Sequence, residues 1–230
     1  MKAFVIVIRD NEISEQGFDN ILDSAARFGN TFPITGFEAI TPDYVREVMK
    51  DEGVEWRYPW DEEEIDIATG LVKKPYPTKN RLARMSCAMS HYLLWQLCKN
   101  SAEPLIVLEH DALFIDHIDF VPDEVPANIL GLNNPIGATR RAQLFDQQVQ
   151  NSTKDYPPVP KVDEFNIPQG LAGNSAYMIK PQGAYDMINL VKTHGMWPND
   201  ALMCKQLVEG LAVSKKYYTT VQGLRSTTTL

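Results

Sequence analysis

Three carboxylates in this 230-residue chain stand where they could do chemistry. Glu109 and Asp111 close off the central part of LIVLEHDALFI, Leu105 to Ile115, where strand-forming apolar residues end in two acids with His110 between them. Acids two apart at the C-terminal edge of a buried strand are poorly explained by packing. Side chains at that spacing on an extended strand share a face, and such a pair repels unless a proton or a cation intervenes. Their oxygens suit Mg²⁺ or Mn²⁺, completed by diphosphate oxygens and water. Acidic strand ends are also common without any ligand, so the pair alone leaves both readings open. The third acid, Asp200, follows Trp197-Pro198-Asn199. Helix capping explains it adequately; a general base delivered to the same sheet edge is the chemical alternative.

Around these acids lie weaker candidates. Ser90-His91 falls inside a long helical pattern, where a lone histidine is more often a hydrogen-bonded core residue than a ligand. Arg81 and Arg84 open that helix against its dipole, and could meet phosphates. Asn174-Ser175 follows two glycines on a tight turn that would let backbone approach a ligand. Arg9 leaves the end of the first strand. Trp56, Tyr58, Trp60 and Tyr76 could line a substrate cleft, or belong to a solvated flap. Lys73, Lys74, Lys79, Arg140 and Arg141 could form a local basic face. Cys87, Cys98 and Cys204 lack metal spacing and read as reduced thiols, and His117 and His194 have no partner that spacing identifies. Glycine-rich phosphate loops, hydrolase elbows and kinase signatures are absent from the sequence.

The elements that must position these groups alternate. Lys2 to Ile8 is an apolar run of the kind found in strands covered on both faces. A helical period runs from Ser14 to Phe28, and a second strand lies within Phe32 to Ile40. Thr41-Pro42 is expected to cap a short helix, and Arg81 to Lys99 is the strongest helix. Strands are expected at Ile129 to Leu132, Gly170 to Ile179 and Leu211 to Val221, with helices from Pro181 to Val191 and Asp200 to Glu209. This order specifies an α/β layered fold, one domain over 1–230 with flexible insertions at about 51–80 and 139–165, and a polar tail at the surface.

Composition bounds the function. Apolar residues make up 44% and charged residues 23%, which argues for a folded globular chain. A net charge of -8 argues against non-specific binding to a phosphate backbone. No apolar stretch reaches membrane-spanning length and the N-terminal run is too short for a signal peptide, so a cytoplasmic protein is expected.

Taken in order, FVIVIRD (4–10), FEAIT (37–41), RMSCAMSHYLLW (84–95), PLIVLEHDALF (104–114), AGNSAYMIKPQGAYDMI (172–188), WPNDALM (197–203) and YYTTVQGLRST (217–227) resemble glycosyltransferase family 25, the lipopolysaccharide-biosynthesis and collagen-galactosyltransferase type. The resemblance implies a GT-A type fold, a Rossmann-like sheet sandwiched by helices. It implies metal-dependent, inverting transfer of a sugar from a nucleoside-diphosphate donor, UDP-linked, to a hydroxyl of a glycan or lipopolysaccharide-like acceptor. On it, Asp111 and Glu109 match the outer acids of a metal motif, Asp200 matches the acid proposed as catalytic base, and Ser90-His91 match a Ser-His pair. Arg9, Arg84, Ser90, His91 and Asn174 make up the expected donor-binding set with Glu109. The chain departs from the pattern at His110, where the family carries an acid, and at Met85-Ser86, where it carries Gly-Glu. A hydroxymethylated base of phage DNA is the alternative acceptor, and a binding protein that keeps the fold without activity is the alternative class.

Overall fold

The computed structural model describes residues 1–224; the tail from Arg225 onward, expected at the surface, lies outside them. The chain runs β1 (Lys2–Val7), α1 (Glu12–Arg27), β2 (Ile34–Glu38), α2 (Val45–Asp51), a hairpin of β3 (Glu64–Ile65) and β4 (Val72–Lys73), then α3 (Arg81–Ser101), β5 (Leu105–Glu109) and β6 (Ala112–Phe114). It continues through β7 (Ile129–Gly131), α4 (Ala142–Gln150), β8 (Ala176–Ile179), α5 (Pro181–His194), α6 (Asn199–Leu202), β9 (Leu211–Val213) and β10 (Thr219–Val221). Six strands form one mixed sheet in the order β2-β1-β5-β8-β7-β9. β1 is parallel to both β2 and β5, whereas β8 is antiparallel to β5 and to β7.

The strand sequences show why helices cover both faces. In β5, Leu105 and Val107 join Met89 and Trp95 of α3 in one core, while Ile106 and Leu108 join Ile21 of α1 in the other. β8 divides in the same way, Tyr177 and Ile179 on the α3 side and Ala176 and Met178 on the α1 side. An unbroken apolar run is what a strand buried on both sides requires. The next residue on the α3 side of β5 is Glu109, so the period of two directs its carboxylate toward α3.

β1 connects through α1 to β2 on one side, and the chain then crosses to β5 on the other, making the carboxyl ends of β1 and β5 a topological switch point, where open α/β sheets bind ligands. Asn11 starts α1 by accepting from Ser14 N, with Glu12 and Glu15 in its first turn. Asn80 starts α3 by accepting from Leu82 N and Ala83 N.

Several boundaries differ from the sequence expectation. Thr41 does not cap α2 with its side chain; Tyr44 precedes the helix, and the Thr41 carbonyl accepts from Val45 N. The helix expected over Asp200 to Glu209 is only Asn199–Leu202, because Lys205 N is drawn instead to the Gln169 carbonyl and Cys204 bridges to Gly170. Segment 139–165 contains α4, anchored by buried Phe145 and Val149 four residues apart. Segment 51–80 contains the β3–β4 hairpin, whose Lys73 is 3% exposed. Its ammonium donates to the Arg57 carbonyl at 2.9 Å, pairs with Asp66 at 3.3 Å and lies 5.2 Å from the centre of the Trp197 ring. Lys73 is therefore no part of an exposed basic face. Among the described residues no helix is long and apolar enough to cross a membrane.

Candidate active site at the carboxyl edge of the sheet

β5 ends at Glu109, and the chain turns through His110 and Asp111 before re-entering a strand as β6. The two acids therefore do not share a strand face. The turn, not the pleat, brings both onto one cavity of about 390 Å³.

That turn is held from outside by the rest of the chain. Gly17 of α1 lies so close that a Cβ there would sit 2.3 Å from the His110 carbonyl oxygen, so only glycine lets the helix pass. Gln222 adds a clamp. Its backbone N–H donates to the Asp111 carbonyl at 2.7 Å, and its side-chain amide donates to the carbonyls of Ala112 at 2.7 Å and His110 at 3.2 Å.

Glu109 is fixed from inside by a chain of hydrogen bonds whose direction can be worked out. Trp95 Nε1 can only donate, and it does so to the Tyr177 hydroxyl oxygen at 2.8 Å. The single Tyr177 proton then goes to His91 Nδ1 at 2.9 Å. His91 must carry its own proton on Nε2, which donates to Glu109 Oε1 at 3.1 Å. Burial pushes the Glu109 carboxyl up, but the hydrogen bond from His91 and the nearby charges outweigh it and hold it below the usual range. Cys87, His91 and Glu109 lie close enough together to resemble a metal cluster, yet both His91 nitrogens are already engaged. His91 thus acts as a clamp on Glu109.

The opposite holds for Asp111. Burial and the Glu109 charge raise its carboxyl to about 7, and its Oδ1 is buried without a hydrogen-bond partner. Asn174, beyond Gly173 at φ 75°, also has a buried Oδ1 without a partner and lines the same cavity. Buried polar oxygens are normally satisfied. The two unsatisfied ones here, one on Asp111 of the acid pair and one on Asn174, make with Glu109 a set of hard oxygen donors.

Asp200 enters this cavity from α6. Burial raises its carboxyl above the usual range, opposed by the Arg84 charge and by a hydrogen bond from Tyr76. Arg84 reaches across from the first turn of α3, its guanidinium 4.8 Å from the centre of the Tyr76 ring.

Of the residues singled out from sequence, Arg84, Cys87, Glu109, Asp111, Asn174, Ser175 and Asp200 share this one cavity. The others are placed differently. His91 is wholly buried behind Glu109. Ser90 Oγ is committed to backbone, accepting from Ile40 N and donating to the Ser86 carbonyl, although the residue borders a neighbouring slot. Arg9 is exposed, 3.7 Å from Glu38, and lines none of the three connected cavities described below; Arg81 pairs with Asp61 instead of a phosphate. Trp56 and Trp60 stack on each other at 4.8 Å beside a separate cavity, and Tyr76 is the aromatic that stands against Asp200. Trp95, Tyr177 and Gln222 were not found from sequence. Their partners lie far away in the chain, and no local period points to them.

The cavity has two neighbours. A slot of about 150 Å³ between the ends of β1 and β2 and the start of α3 shares Cys87 and Glu109 with it. A larger hollow of about 590 Å³ shares Asp200, Ala138 and Gly173. Together they form one cleft along the sheet edge, with the carboxylates in its middle.

The profile of glycosyltransferase family 25 (LPS biosynthesis protein) matches residues 24–203. The chain belongs to glycosyltransferase family 25. Family membership makes the protein an enzyme of the glycosyltransferase type with a GT-A-like fold. No curated protein matches the chain. Among solved structures, apo mouse xyloside xylosyltransferase 1 is similar over 89% of this chain and 78% of that one, at 9% identity and a TM-score of 0.38, too distant a likeness to carry an argument.

For this family 25 enzyme the relay behind Glu109 gives a direct expectation. Tyr177→Phe leaves Trp95 Nε1–H and His91 Nδ1 without partners in a dry core, at a cost of about 1–3 kcal/mol of stability. It also frees His91 to change tautomer and release Glu109. Any divalent-cation affinity that rests on Glu109 should fall about tenfold, as for other residues that orient a ligand. Mn²⁺ titration at a temperature where the variant remains folded checks this; unchanged affinity would leave the relay a purely structural one.

Proposed function

We propose that this enzyme moves a sugar from a UDP-sugar to a hydroxyl of a glycan acceptor, with inversion and with the help of a divalent cation. The observation that carries this reading is the pair of partnerless buried oxygens, Asp111 Oδ1 and Asn174 Oδ1, in a cavity that also holds Glu109 and Asp200. Asp111, Asn174 and the Glu109 oxygen not engaged by His91 would hold Mn²⁺ or Mg²⁺. Such an ion supplies positive charge against a departing diphosphate.

The protein's own groups do the rest. The slot at the ends of β1 and β2, walled by Ile6, Ile8 and Pro42, fits the flat base of a nucleotide. Arg84 supports the charge that develops on the diphosphate. Asp200 lies at the junction with the larger hollow, where a carboxylate raised by burial is suited to accept the proton of an attacking hydroxyl. Attack from that side, opposite the leaving group, inverts the anomeric centre. With Lys73 buried and a net charge of -8, the extended basic surface that a DNA acceptor requires is weakened, which favours a glycan.

A thermal-shift panel of UDP-, GDP- and CMP-sugars with and without Mn²⁺ tests the proposal. A UDP-sugar is expected to stabilise the protein only when Mn²⁺ is present, and to be slowly hydrolysed. Stabilisation by none of the donors, or equal stabilisation without a cation, would sink it.

A further inference from the structure

We infer that the acceptor is acidic: a saccharide carrying a carboxylate or phosphate group, bound by Lys74 and Arg140 in the hollow beyond Asp200. The inference rests on the proposed acceptor side of the cleft and adds the chemical class of what enters there.

The hollow of about 590 Å³ is walled by Lys74, Tyr76, Arg140, Arg141 and Phe145, with Asp163 and Asp200 as its acids. Arg141 and Asp163 account for each other. The Arg141 guanidinium donates to the Val162 carbonyl and lies 3.7 Å from Asp163. Asp200 faces Arg84 and Tyr76. Lys74 and Arg140 are left over: both are exposed, and among the described residues neither side chain has an ion pair or a hydrogen bond. Other surface cations, such as Lys50, Lys99 and Lys192, are also unpaired, but Lys74 and Arg140 stand together on the wall of a concave site, where a ligand would meet both.

The surroundings say what kind of ligand. Tyr76, half-buried on this wall, offers apolar area of the sort sugar rings use, and the volume is that of a small-ligand pocket. A duplex, with a charge every ~1.7 Å of its axis, would need a long basic stripe instead. Arg140 can grip a carboxylate or phosphate with two parallel hydrogen bonds, and Lys74 adds a point charge. Holding the acid group on that wall leaves a neighbouring hydroxyl of the same saccharide free to face Asp200.

Calorimetric titration in the presence of Mn²⁺ and UDP tests this with glucuronic acid, galacturonic acid and glucose 6-phosphate against glucose and galactose. The charged sugars are expected to bind about tenfold or more tighter than the neutral ones. The uronic acids and the phosphate separately show which acid group is preferred. In the double variant Lys74→Ala/Arg140→Ala the preference should vanish, while Mn²⁺-dependent UDP binding, measured on the same sample, reports that the protein is folded. Equal binding of charged and neutral sugars, no binding of either, or a preference that survives in the double variant would each overturn the inference. Tighter binding of a single-stranded oligonucleotide than of any acidic sugar would overturn it in favour of a nucleic acid. If UDP and Mn²⁺ fail to bind the wild-type protein, it is the donor reading that has failed, and that result is separate.

Discussion

Asp200→Asn should reduce sugar transfer roughly 10²–10⁴-fold, the range expected when a general base is removed, while leaving donor and cation binding near wild type. The asparagine keeps the size of the side chain and can still accept from Tyr76, so the walls of the cleft stay in place. What it loses is the ability to take a proton from the acceptor hydroxyl. Because burial holds the Asp200 carboxyl above the usual range, the acid limb of the wild-type pH–rate profile should also lie above that of an ordinary aspartate. Transfer and donor hydrolysis measured side by side decide the matter. A role limited to starting α6 would instead give a lower melting temperature with kcat unchanged.

Asp111→Asn should weaken Mn²⁺ binding by more than the roughly 10–100-fold that loss of an orienting partner costs, and Mn²⁺-dependent donor binding should go with it. The pH dependence gives an independent reading. The Asp111 carboxyl titrates at about 7 in the fold, against 3.8 for an ordinary aspartate. A raised value means that the fold favours the protonated form. The stability carried by this group is therefore complete below the ordinary value and is lost as the pH rises through about 7. A cation needs the ionised form and competes with that proton. Thermal stabilisation by Mn²⁺ should accordingly be small in acid and grow as the pH rises through about 7. In Asp111→Asn the pH-dependent loss of stability without metal should diminish, and the Mn²⁺ effect should disappear at every pH. A Mn²⁺ effect that persists in the variant would place the cation elsewhere.

Much of the scaffold was legible because its signals are local. KAFVIV and LIVLE are apolar without a break since each is covered on both sides, and the long stripe of α3 records a helix with one face on the sheet. The acids at 109, 111 and 200 could be picked out because carboxylates beside apolar runs have no packing role. What failed depended on distant partners. Glu109 and Asp111 were placed on one strand face, whereas a turn unites them. Lys73 was read as exposed, although Asp66, Arg57 and Trp197 enclose its amine. The helix after Asp200 was drawn too long because Gln169, more than thirty residues earlier, claims its backbone. Tyr177 looked like one more residue of an apolar strand. Only its register opposite Val107 brings its hydroxyl within reach of His91.

The Gln222 clamp also bears on when the site becomes competent. Its side chain accepts from Asn20 at 2.7 Å, a contact that closes a loop spanning 202 residues. Contacts across so much chain carry the largest closure entropy and tend to form late in folding. While the polypeptide is being made, β1, α1 and β5 can already assemble, but the turn holding Asp111 rests on α1 alone and lacks its hydrogen-bonded clamp until residue 222 has emerged. Catalytic competence is in this way deferred: the sheet can form early, whereas the carboxylates settle only once segments from opposite ends of the fold have met.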